Sequence, residues 1–174
     1  MERRARWVVA ALVLAALAGA EAAEAAEQTL VGGSRPDFSG TWLENLKASR
    51  TGDGKDLTAE FKRQAITLDQ VDTRLKVTID IKAIDPQQDR VLSFELSTEG
   101  RVREFELQGL RALGYARWEG SKLTTYTRRA LPGGGVLEVM RTMSPGPDAR
   151  SMSGKMRAWV DGAATDYSEV WERQ

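Results

Sequence analysis

The chain has 174 residues, 41% of them hydrophobic, which suits one globular domain with a real core better than two. Its 25 basic and 25 acidic residues balance, so it lacks the cationic excess that phosphate-backbone binding draws on, and nucleic acid is not an expected partner. Histidine and cysteine are absent, which excludes a Ser-His-Asp triad, an imidazole base, a thiol nucleophile, a disulfide and a thiolate zinc site.

Residues 1–20 have the grammar of a secretory signal. Arg3, Arg4 and Arg6 make a basic start, Trp7 to Leu17 an apolar run, and Ala18-Gly19-Ala20 an A-x-A cutting site. The apolar run falls short of the roughly 20 residues that a spanning helix needs. A mature protein free in the periplasm or outside the cell is expected, cut near Ala20 and without a membrane span. The cut leaves 22 basic against 24 acidic residues, a net charge of −2. Residues 21–36 follow as a tether, first a repeating Ala/Glu stretch with no apolar stripe, then Gly32-Gly33-Ser34-Arg35-Pro36, which breaks any helix. The folded domain is expected over 37–174.

From there the apolar residues recur with a period of two. Leu75, Val77, Ile79 and Ile81 alternate with Arg74, Lys76, Thr78, Asp80 and Lys82, the pattern of a half-buried strand. Strands are predicted at 40–46, roughly 62–70, 74–82, 91–97, 101–108, 110–118, 122–129, 136–143, 151–160 and 164–173, separated by turn sequences such as Glu99-Gly100, Glu119-Gly120-Ser121 and Asp161-Gly162. The segment 55–65 fits either a short helix beginning at Asp56 or more strand. The fold class is all-β. A meander of about ten such strands without covering helices must close on itself or pack as a sandwich, and short turns favour an antiparallel up-and-down barrel. An immunoglobulin-like sandwich, with seven strands and long crossovers, fits the spacing less well.

Phe38-Ser39-Gly40-Thr41-Trp42 resembles the G-x-W opening of the calycins, the lipocalins and fatty-acid-binding proteins, and in particular secreted bacterial lipocalin-like domains that begin D-F-S-G-T-W. Trp118-Glu119-Gly120, continuing through Thr125, is similar to the W-x-G hairpin of fatty-acid-binding proteins, and Ser168 to Arg173 stands where those barrels place their closing strand. The resemblance spans 37–174 and implies a closed barrel of about eight to ten strands around an internal cavity for an apolar ligand. It also implies that Trp42 plugs one end, with a late arginine across its ring. Arg173 is the first candidate and Arg157 the second. The family's R-x-Y for a ligand carboxylate falls here on Glu169 and Trp171, a departure that would repel a carboxylate. A further family arginine falls on Arg128 if one residue is inserted.

Four residues are candidates for ligand contact. Arg141 is in phase with Leu137, Val139 and Met143, so alternation puts its guanidinium on the apolar face, where it needs an acid or an anionic ligand as partner unless it snorkels out at the barrel rim as a surface residue. Glu169 is the acid that would neutralise it. Arg103, in phase with Phe105 and Leu107, poses the same question, and Tyr126 with Arg128 share one face of their strand as a polar pair. Met140, Met143, Met152 and Met156 suit an adaptable cavity or an ordinary core equally. No catalytic motif stands out, no cofactor is called for, and a metal is open only as a hard cation on oxygen ligands. A monomeric binding module for a small apolar or amphipathic molecule is therefore the leading expectation. A calycin-type enzyme using carboxylates or tyrosine, favoured if the cavity holds two carboxylates, and an interaction domain with a filled core are the alternatives.

Overall fold

The computed structural model describes residues 35–131 and 134–174. The expected signal segment, the tether through Ser34 and the pair Pro132-Gly133 lie outside the described residues. Eleven strands follow in chain order: β1 (Gly40–Glu44), β2 (Arg50–Thr51), β3 (Phe61–Val71), β4 (Arg74–Ala83), β5 (Arg90–Ser97), β6 (Arg103–Leu107), β7 (Leu110–Glu119), β8 (Lys122–Ala130), β9 (Val136–Pro145), β10 (Ser151–Val160) and β11 (Ala163–Arg173). All ten predicted strands are present. The addition is β2, which lays only Arg50 and Thr51 along β11. Segment 55–65 makes neither a helix nor a full strand. Leu57 O accepts from the N–H groups of Glu60 and Phe61, one tight turn, and β3 starts at Phe61. The described helical structure is a 3-10 turn at Pro86–Gln88, capped by the Asp85 carboxylate.

The ladders are antiparallel and run β5-β4-β3-β1-β11-β10-β9-β8-β7-β6. The two ends of that path, β5 and β6, are consecutive in the chain and meet along a seam. One backbone bridge near it joins Glu99 to Arg117, Gly100 N–H donates to Ala116 O at 2.9 Å, and the rings of Phe94 and Phe105 stack across it at 5.4 Å. The result is a nearly closed all-β barrel, which leaves little free strand edge.

Alternation explains what fills it. One end is solid: Trp42, Ile66, Leu68, Leu75, Leu96, Leu123, Met143, Met152 and Trp171 are buried together, with Phe38 from the entering chain. Trp42 is anchored by its indole N–H, which donates to Phe38 O at 2.8 Å, and the Arg173 guanidinium lies 4.7 Å from its ring centroid. Toward the other end the inward positions of β7, β8 and β10 become small. Ala112 on β7, Thr125 and Thr127 on β8, and Gly154 and Ala158 on β10 cannot span the interior, so the barrel hollows out.

Candidate functional site

A cavity of about 240 Å3 occupies the hollow half. Its walls are apolar, from Ile79, Ile81, Leu92, Phe94, Leu137 and Val139 on β4, β5 and β9. Phe61 joins them because the β3–β4 register slips between Phe61 and Arg63, a bulge that turns an out-of-phase side chain inward.

The buried charged residues of the cavity sit on its floor, against the solid core. Arg141 and Glu169 form a buried pair, 8% and 4% exposed. Nε of Arg141 donates to Oε2 of Glu169 at 2.9 Å and to Oε1 at 3.2 Å, and Nη2 donates to Oε1 at 3.0 Å. Nη2 also stands 3.0 Å from Sδ of Met156, and the guanidinium lies 5.8 Å from the fully buried ring of Trp171. Gly154, opposite Glu169 in the ladder, makes room for this geometry. A Cβ there would stand 2.5 Å from Oε2 of Glu169.

Glu44 completes the floor. It points inward because it follows Trp42 by two on β1, and it is 5% exposed. Neither of its carboxylate oxygens has a hydrogen-bond partner. Burial, then repulsion from Glu169, raises its pKa to about 7, and a long hydrogen-bonding approach of the Ser49 hydroxyl and the positive charge of Arg141 offset this only in part. With Arg141 committed to Glu169, Glu44 is the one unpaired acid of the floor. At the open side stand two arginines: Arg129 is half-buried, Arg90 is exposed, and neither is ion-paired among the described residues.

No protein-family model and no curated protein sequence matches the chain. Solved structures do. A secretory abundant heat soluble protein from Ramazzottius varieornatus superposes with a TM-score of 0.50 at 7% identity, covering 79% of this chain and 95% of that one. A second, secretory abundant heat soluble protein 4 from the same organism, gives 0.47 at 11% identity, covering 78% and 94%. Zebrafish ileal bile acid-binding protein, complexed with cholic acid, gives 0.49 at 11% identity, covering 79% and 98%. The fold is a calycin-like β-barrel. At such identities the likeness is one of fold alone.

Within this barrel the residues singled out from sequence separate. Arg141 lines the cavity, paired with Glu169. Tyr126 and Arg128 lie on the outer face of β8, while their neighbours Thr125, Thr127 and Arg129 line the cavity. The Tyr126 hydroxyl donates to Glu138 at 2.6 Å, its ring stacks on Tyr115, and Arg128 stands 3.6 Å from Glu138. Arg103 is exposed at the start of β6 and does not line the cavity. Arg157 is paired with Asp166 on the outer surface, with Nη2 at 2.7 Å, and so does not reach Trp42. Sequence reasoning missed Glu44, Arg90 and Arg129. The signal for Glu44 was its spacing from Trp42, and for Arg129 its phase with Leu123 along β8. Among the described residues no group of three or more acidic side chains is placed to hold a metal ion, and no helix is long and apolar enough to cross a membrane.

Proposed function

We propose that this protein is an exported, monomeric binding module that holds a small apolar or amphipathic molecule inside its barrel. The observation that carries the reading is the cavity itself: apolar walls over a polar floor, with an opening to solvent. Its 240 Å3 falls just below the roughly 300–1,000 Å3 of drug-sized ligand sites, which points to a small molecule or a single alkyl chain. Export rests on the signal grammar of residues 1–20.

Titration with an apolar fluorescent probe tests the binding reading. Ala158→Phe, which projects a ring from β10 into the cavity, is expected to abolish binding and leave the melting temperature within a few degrees of wild type. Equal binding by wild type and this variant would place the probe elsewhere and remove the reading. For export, N-terminal sequencing of extracytoplasmic protein is expected to begin near Glu21, and intact Met1 in a membrane fraction contradicts it.

A second reading has one observation in its favour. A buried carboxyl raised to about 7 beside a cavity is what a general acid or base at neutral pH requires. The cavity does hold two carboxylates, Glu44 and Glu169, but Arg141 grips the second, so they do not form a free acid/base pair. Binding is therefore preferred over catalysis.

A further inference from the structure

We infer that the cavity floor recognises a hydrogen-bond-donating head group, an ammonium or a hydroxyl, through Glu44, and so selects an amphipathic ligand whose buried end is a donor rather than a carboxylate. The inference rests on the binding reading above and deepens it.

The first ground is an unmet demand. A buried acceptor without a donor is costly, and native interiors rarely keep one without a reason. Both oxygens of Glu44 are buried and unpartnered, and Glu44 lines the cavity. The second ground is the local charge. Arg141 is the cation of the floor, and its Nε and Nη2 are already spent on Glu169. With Glu44 ionised the floor carries one excess negative charge, which repels a ligand carboxylate and attracts a cation or a neutral donor. The third is that the pair is built. Gly154 leaves the space in which the Glu169 carboxylate lies, and Trp171 Nε1 lies 3.4 Å from Oε2 of Glu169, so Glu169 is held in place and not free to swing toward a ligand. The groups facing Glu44 are Glu169 and Tyr167 on β11, Arg141 on β9, uncharged Gln64 on β3 and Ser49 on the β1–β2 loop, with Arg90 and Arg129 at the open side. Of these, the Ser49 hydroxyl alone acts on Glu44 as a hydrogen-bond donor, and it stands outside normal hydrogen-bond distance of either carboxylate oxygen.

Three single-chain probes of equal length test this: decylamine, decanol and decanoate, titrated by calorimetry into wild type and Glu44→Gln at pH 6 and pH 8. At pH 8, Glu44→Gln is expected to weaken decylamine by about tenfold and to leave decanoate unchanged or tighter. The pH arm separates the two donor sources. An ammonium needs the ionised acid, so with a carboxyl near 7 decylamine should tighten by about tenfold from pH 6 to pH 8, whereas decanol should change by less than about threefold. If Glu44→Gln leaves both decylamine and decanol as in wild type, or if decanoate binds wild type more tightly than either, the inference fails while the binding reading stands. If none of the three binds wild type, both fall.

Discussion

Replacing Glu44 by glutamine should stabilise the protein at pH 8 and change little at pH 5. Burial and the neighbouring Glu169 raise the folded-state pKa of Glu44 from 4.5 to about 7. An acid raised in this way binds its proton more tightly folded than unfolded. Its contribution to stability is fully present below about 4.5 and is lost as pH rises through about 7. At about 1.36 kcal/mol per pH unit, the gap between 4.5 and about 7 amounts to about 3 kcal/mol, an order-of-magnitude figure. Asp37, Asp53, Asp148 and Asp166 shift in the opposite direction, so their contributions change at acid pH and stay constant over the window that matters here. Glutamine keeps the shape of the protonated acid and carries no charge. Urea denaturation of wild type and variant at both pH values isolates the effect. The variant should match wild type at pH 5 and exceed it by about 2–3 kcal/mol at pH 8. A wild-type stability that does not fall between pH 5 and pH 8, or a variant weaker than wild type at pH 8, refutes the claim that Glu44 is a buried acid without a partner.

Further outcomes are expected from the same physics. Arg141→Met strands the Glu169 carboxylate and should lower stability by roughly 3–5 kcal/mol in denaturation at pH 7, most of which Arg141→Met combined with Glu169→Leu should restore. Gly154→Ala drives a methyl group into Oε2 of Glu169 and should cost about 1–3 kcal/mol, read as a lower urea midpoint with an unchanged slope. Arg173→Ala removes the cation over Trp42 and should cost about 0.5–2 kcal/mol, whereas Trp42→Ala opens the solid end and should cost about 3–5 kcal/mol, both measured by the same denaturation.

The barrel was legible because alternation survives wherever a strand buries one face. Leu75 to Ile81 and Leu92 to Leu96 carry that pattern over whole strands, and their turns are marked by glycine or acidic residues. The phase of Arg141 with Val139 and Met143 pointed inward, but phase alone left a rim position open, and its burial against Glu169 is seen only in the structure. On β8 the sequence pattern favours the outer face over the one that lines the cavity. Leu123 alone sets the phase there, Thr125 and Thr127 are too small and polar to announce an inner face, and Tyr126 and Arg128 look more like a site. Glu44 was passed over because β1 is five residues long and ends at it, although Trp42 two positions earlier fixes its direction. Phe61 could not be placed at all, since a bulge changes parity without any mark in sequence. Pairing across the barrel, such as Arg141 with Glu169, depends on which strands become neighbours, and alternation within one strand is silent on that.

The central claim, that the hollow half of the barrel holds a small amphipathic molecule, is tested most directly by native mass spectrometry of the protein purified without organic solvent. The expected result is a population heavier than the polypeptide by the mass of one small molecule, lost on denaturation and absent from Ala158→Phe prepared in parallel. A wild-type spectrum at the bare polypeptide mass that also takes up none of the added decyl probes would contradict it.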